Sequence, residues 1–170
     1  SCEMAGFTSM GLFGRSQPWR QGVDLAEGER ALVAAQTPAG WVVATTHALW
    51  LPSRTGMTRL GWETIDNASW DRDGAVLSVR QSSRLGGRAQ RWTVRMEDER
   101  DLLLVIKERV RSTLVTTRHV RLDADRGVTL VARRPPGEDR LTWAVSVDPG
   151  VDVESPAVRS RVEAELGSLR

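Results

Sequence analysis

Seven short β-prone segments, followed by a change to helical periodicity, constrain this chain more than any other feature of its sequence. The segments are Arg30 to Gln36, Trp41 to Thr46, Ala48 to Pro52, Met57 to Ile65, Asn67 to Asp71, Ala75 to Gln81 and Gln90 to Met96. Turn chemistry separates most of them: TPAG at 37–40, RTG at 54–56, RDG at 72–74 and SRLGGR at 83–88. The Asp-Gly pair at 73–74 predicts a hairpin whose glycine takes a positive φ. From Glu97 the period changes. Leu102, Leu103, Ile106, Val110 and Leu114 recur at helical spacing. Acids at 97–101 and cations at 109–111 suit the two ends of the helix dipole. The fold class that follows is α+β, mainly β: a small barrel or sandwich of about seven strands over residues 28–114, with the 97–113 helix stoppering one end.

Three more β-prone segments lie beyond the helix, at Val115 to Leu122, Val128 to Arg134 and Arg140 to Val147. Ser155 and Pro156 then read as N-cap and first residue of a second helix of roughly 14 residues. Val158, Val162, Leu166 and Leu169 form its apolar stripe. Residues 115–170 are therefore expected to be a three-strand plus helix extension packed on the first unit. Residues 1–27 show neither period, with Phe7, Met10, Leu12 and Phe13 scattered among Gly, Ser and Arg, and read as a flexible tail. Arg15 occupies the Ser/Thr position that a myristoylation motif starting at Gly11 would need.

Composition narrows the function. No apolar run approaches the ~18 to 20 residues of a membrane span. The single cysteine, Cys2, cannot build a disulfide framework or a thiolate zinc site and reads as a surface thiol. The N-terminus has no basic stretch followed by an apolar core, so no secretory signal is expected. The pI of about 9.4 overstates the basicity: the net charge is +2, from 24 Lys plus Arg against 22 Asp plus Glu. With one lysine and no tyrosine, little titrates between the histidines and the arginines. Arginines and acids are interleaved along most of the chain, unlike the concentrated basic face of a nucleic-acid binder.

Three stretches carry a family resemblance: EGERALVA at 27–34, VVATTHALWL at 42–51 and RLGWETIDNASW at 59–70. They resemble the opening strands of bacterial PH-like (pleckstrin-homology-like, GRAM-like) domains over about residues 27–114, with the extension unmatched. The resemblance implies seven strands, a C-terminal capping helix and a binding scaffold for lipid headgroups, peptides or proteins. The loop that carries basic residues in phosphoinositide-binding members is TPAG here, without Lys or Arg. Lipid-headgroup chemistry is accordingly not expected.

Few residues stand out as chemical candidates. His47 and His119 have no neighbouring carboxylate, cysteine or second histidine at metal-ligand spacing, and no GxSxG elbow occurs. Gly86 and Gly87 with Arg84, Arg88 and Arg91 form a candidate anion-binding loop, although it joins two strands. Six tryptophans fall on predicted strands, and most are expected in the core. Trp70 and Trp143, bordered by polar residues, are the candidates to reach a partner. RHVR at 118–121 and RR at 133–134 make the extension locally basic. Alternation places Arg118 with Val120 on one face and His119 with Arg121 on the other. Arg118, Arg121, Arg133 and Arg134 thus complete the candidate partner-binding set. The expected protein is a cytoplasmic, non-enzymatic interaction module with no catalytic residues, metal or cofactor, whose partner is another protein. A homodimer stays open. Nucleic acid, membrane insertion and peripheral membrane contact are not expected. The rivals are an anionic-lipid or small-ligand-binding PH-like module and an enzyme whose site the sequence does not reveal.

Overall fold

The computed structural model describes residues 18–82, 89–97 and 100–169. Cys2, Arg84, Gly86, Gly87 and Arg88 lie outside them, as do residues 1–17 of the expected tail. Among the described residues, ten strands form three antiparallel meanders. The first sheet contains β1 (Ala31–Thr37), β2 (Gly40–Thr45), β3 (Ala48–Ser53) and β4 (Gly56–Gly61). A 3-10 turn, Trp62–Thr64, leads into the second sheet: β5 (Ile65–Asp71), β6 (Val76–Gln81) and β7 (Arg91–Arg95). Helix α1 (Arg100–Thr113) follows, then the third sheet of β8 (Leu114–Asp123), β9 (Arg126–Arg133) and β10 (Thr142–Val147). Helix α2 (Pro156–Leu169) ends the chain as expected, with Pro156 first.

Local chemistry accounts for the tight connections. Thr37 and Gly40 pair across a two-residue hairpin, where the Thr37 hydroxyl donates to the Gly40 carbonyl at 2.7 Å. Gly40 has φ +135, a conformation that favours glycine. In the hairpin after β5 the expected glycine is not the strained residue. Ala75 takes the positive φ of 51 instead. The loop runs to four residues between Asp71 and Val76, and Asp71 accepts from the Asp73 N–H at 3.1 Å, so the reversal falls one residue later.

The main core joins the inner faces of the first two sheets to α1. Leu102, Ile106 and Val110 of α1 are buried against Val42, Leu49, Leu60, Trp62, Ile65, Leu77 and Val79. Each such side chain contributes roughly 1.5–3 kcal/mol by leaving water. Leu114, expected to close the helical stripe, instead begins β8 and is 44% exposed. The sheets do not close into a barrel. Among the described residues no ladder joins β4 to β5 or β7 to β1. The Trp62–Thr64 turn redirects the chain between the sheets, and α1 with its side chains fills the opening.

A second correction concerns residues 18–27. The 3-10 turn Pro18–Gly22 buries Trp19, and Val23 follows it against Ala34, Val43, Ala48 and Trp50. The first sheet is therefore covered on both faces. That explains why Val42 to Thr45 are buried consecutively rather than alternately. The third sheet has its own core, where α2 lays Val162 on Val120, Val128, Leu130 and Val145.

Glu29 fastens the entry to the first sheet. Its carboxylate accepts from the Thr45 hydroxyl at 2.5 Å and the Ala26 N–H at 2.9 Å. Burial alone would raise its pKa. Hydrogen bonds from Thr45 and Ala26, with the Trp50 indole and Arg59 nearby, overcome that and hold it below the ordinary carboxylate value. Trp50 Nε1 approaches the carboxylate without forming a well-aligned bond. Because the folded pKa is the lower one, the stabilisation is present above the unfolded value near 4.5 and is lost as pH falls through the folded value. Glu29→Gln is expected to cost about 1.5–3 kcal/mol at neutral pH and less in acid. Urea melts of both proteins across pH 3 to 7 check this; an unchanged gap across that range would contradict it.

Candidate functional site

Among the described residues, a groove of about 850 Å³ lies between the extension and the second half of the main unit. Leu141 and Trp143 at β10 and Leu166 and Leu169 of α2 supply its apolar wall, facing Glu63, Thr64 and Ser82. A recess of about 230 Å³ continues the groove along β10, between Asp66 and Arg80 on one side and Ser146 and Val147 on the other. The two share Ser82, Val131, Ala144 and Val145, so the trough follows β10 for most of its length. Its apolar wall comes from the part-covered end of the α2 stripe. Val162 is fully buried, whereas Leu166 and Leu169, further along the same stripe, are only half-buried.

Arg133 supplies the floor. It is 7% exposed and its Nη1 donates to the Val110 carbonyl at 2.9 Å and the Thr113 hydroxyl at 3.0 Å. The side chain thereby caps the last turn of α1 and ties it to β9. Its Nε is buried with no partner among the described residues. Burial pushes the guanidinium below its usual pKa, and Asp66 opposes that shift. Arg140, at the rim, is largely exposed and pairs with Glu138.

Two of the sequence candidates, Trp143 and Arg133, meet in this groove. The others do not. Trp70 is half-buried against the main core, and its indole N–H donates to the Met96 carbonyl at 3.4 Å. It is a packing residue. Arg118 reaches across to Glu165 of α2 at 3.3 Å, on the Val120 side as alternation predicts. Arg121 and Arg134 are exposed, as is Arg91 on β7. Arg91's expected companions Arg84 and Arg88 fall outside the described residues, so the anion-binding loop has no structural description.

The histidines take local roles. His47 Nδ1 lies 2.8 Å from the Thr46 hydroxyl. His119 Nε2 lies 3.1 Å from Asp148, a contact across 29 residues that no sequence spacing could reveal. His119 and the Gly127 N–H together hold the Asp148 carboxyl below its usual pKa. Among the described residues, no three His, Cys, Asp or Glu side chains are grouped to hold a metal ion. No described helix is long and apolar enough to cross a membrane.

Compared with known proteins, the chain matches no family model, no curated protein and no solved structure. The groove's chemistry therefore has to be read from its own residues. It offers an indole and three leucines for apolar contact, a carboxylate at Glu63 and two guanidinium groups at opposite depths. Sequence reasoning missed Leu141, Leu166 and Leu169 as site residues. The available signal was the α2 stripe, which continues through Leu166 and Leu169 to the end of the helix.

Proposed function

We propose that the protein is a non-enzymatic protein-interaction module, working in the cytoplasm, that takes an apolar segment of a partner protein into the groove beside β10. The observation that carries this reading is the half-covered wall of Leu141, Trp143, Leu166 and Leu169. A large aromatic side chain at the centre of an apolar depression is the usual anchor of a protein interface. Conversely, both guanidinium groups of the groove are engaged within the chain: Arg133 caps α1 and Arg140 pairs with Glu138. The succession of a four-stranded meander, a three-stranded meander and a capping helix supports the PH-like resemblance, and with it a scaffold that binds rather than reacts.

Selection from a random twelve-residue peptide display library tests the proposal. Peptides with two or more large apolar residues are expected to enrich on the native chain. They are expected to bind the Trp143→Asp and Leu169→Asp variants at least about tenfold more weakly, an effect of ~1.4 kcal/mol. Enrichment that survives both substitutions would refute the groove as the site.

One feature favours a second reading, a small amphipathic anion: the unpaired Nε of Arg133 beneath an apolar wall. A medium-chain fatty acid would then compete with the selected peptides and lose affinity in Arg133→Met. Absence of competition leaves the peptide reading alone.

A further inference from the structure

The edge strand β8 lies on a different element from the groove, and its chemistry points to a different ligand. It is ten residues long and stands at the end of the third sheet, with β9 on one side only. Leu114 to His119 are all exposed, including Leu114 at 44% and Val115 at 45%. An edge strand presents every second N–H and C=O outward, ready to pair with another extended chain. Edges of this length are normally blunted by charge and by bulges. β8 has both. Its pairing with β9 is interrupted between Leu114 and Thr116 and between Arg121 and Asp123, and Arg118 and Arg121 project from the stretch between.

On β8 itself the cations outnumber the acids, with Arg118 and Arg121 against Asp123. Exposed Arg126 opens β9 and exposed Arg134 follows it, whereas Arg133 is buried. Asp123 is held by Arg126 at 2.9 Å, and Glu165 is shared between Arg118 and Arg161. Arg121 and Arg134 are exposed and form no ion pair among the described residues. A second copy of the chain would bring the same arginines against each other. An acidic strand would meet them favourably.

We propose that β8 takes up an extended acidic segment of a partner protein as a fourth strand of the third sheet. Arg118 and Arg121 lie three residues apart on opposite faces of β8. They would meet two carboxylates at the same spacing on the added strand. Leu114 and Val115, at the other end of the edge, would meet an apolar residue three or four positions further along. The ligand class is therefore an acidic-x-x-acidic segment followed by an apolar residue, running antiparallel to β8. This site shares no residue with the groove, so its failure leaves the groove proposal standing.

The probe is a fluorescein-labelled ten-residue peptide of Thr and Val with glutamates three apart and a leucine beyond them. Its binding to the full chain is read by anisotropy. Binding that weakens with salt is expected, at least about tenfold weaker for Arg121→Glu, whose side chain stands on the face away from α2. The Arg118→Glu, Arg121→Glu pair should lose binding further, with circular dichroism confirming the fold. Two versions N-methylated on alternate residues separate strand addition from charge attraction. One set should abolish binding and the other spare it. Equal binding by both sets, equal binding by a lysine-for-glutamate peptide, or displacement of the peptide by a twenty-residue oligothymidylate would overturn the proposal. So would a dimer of the chain alone that the Arg118→Glu, Arg121→Glu pair dissolves.

Discussion

Trp62→Ala is expected to remove most of the stability of the main unit and to leave much of the chain unfolded at room temperature. Trp62 is 0% exposed and sits where the 3-10 turn passes from the first sheet to the second. Its indole N–H donates to the Thr45 carbonyl at 2.8 Å, holding the β2–β3 connection against that turn. Truncation of a fully buried tryptophan costs about 3–5 kcal/mol through lost contact and cavity. The orphaned Thr45 carbonyl adds about 1–3 kcal/mol. Against a domain stability of about 5–15 kcal/mol, the two together are decisive. Trp62→Phe keeps a six-membered ring in the core while losing the donor and part of the bulk, so it should cost the smaller amount. Thermal melts of the two variants settle the ranking. A native-like melting temperature for Trp62→Ala would show that the two sheets do not depend on this side chain.

The second large effect concerns Arg133. Arg133→Ala is expected to destabilise the chain by about 2–4 kcal/mol. The substitution strips the Val110 carbonyl and Thr113 hydroxyl of a charged donor and leaves a void under the groove. Arg133→Met should recover much of that loss. It refills the volume and removes a buried charge whose Nε has no partner. Urea unfolding of the pair measures the difference. If methionine is as damaging as alanine, the guanidinium contributes through its hydrogen bonds rather than its bulk. If neither substitution matters, the tie between α1 and β9 is incidental.

The expectations that held are those set by local chemistry. Alternation in Val76 to Gln81 buries Leu77 and Val79, and the 3.6 period buries Leu102, Ile106 and Val110. Thr37 turns the chain because its hydroxyl donates to the Gly40 carbonyl and accepts from the Ala39 N–H, and Pro38 fixes φ beside it. What escaped depends on partners distant in sequence. Trp19 has no periodic neighbours, and only the outer face formed by Ala34, Val43 and Trp50 makes it a core residue. Closure of the sheets failed because nothing in β4 or β5 encodes whether their edges meet; the turn at Trp62 sends them apart.

The candidate site divides along the same line. Trp70 and Trp143 each follow a hydroxyl residue, Ser69 and Thr142, on a strand and look alike in sequence. Trp70 finds the Met96 carbonyl, 26 residues away, and turns inward. Trp143 lines a groove together with Leu166 and Leu169. The basic pair Arg118 and Arg121 was legible as split between two faces, because strand alternation is local. That Glu165 would claim Arg118 was not legible, because it depends on how α2 crosses the sheet.

Chemical-shift mapping of the native chain with its best selected peptide tests the groove as the binding site most directly. The account predicts that the Trp143 indole resonance and the methyl groups of Leu141, Leu166 and Leu169 shift together, while those of Leu51 and Ile65 stay in place. Shifts concentrated on the first sheet, with the groove methyls unmoved, would contradict it.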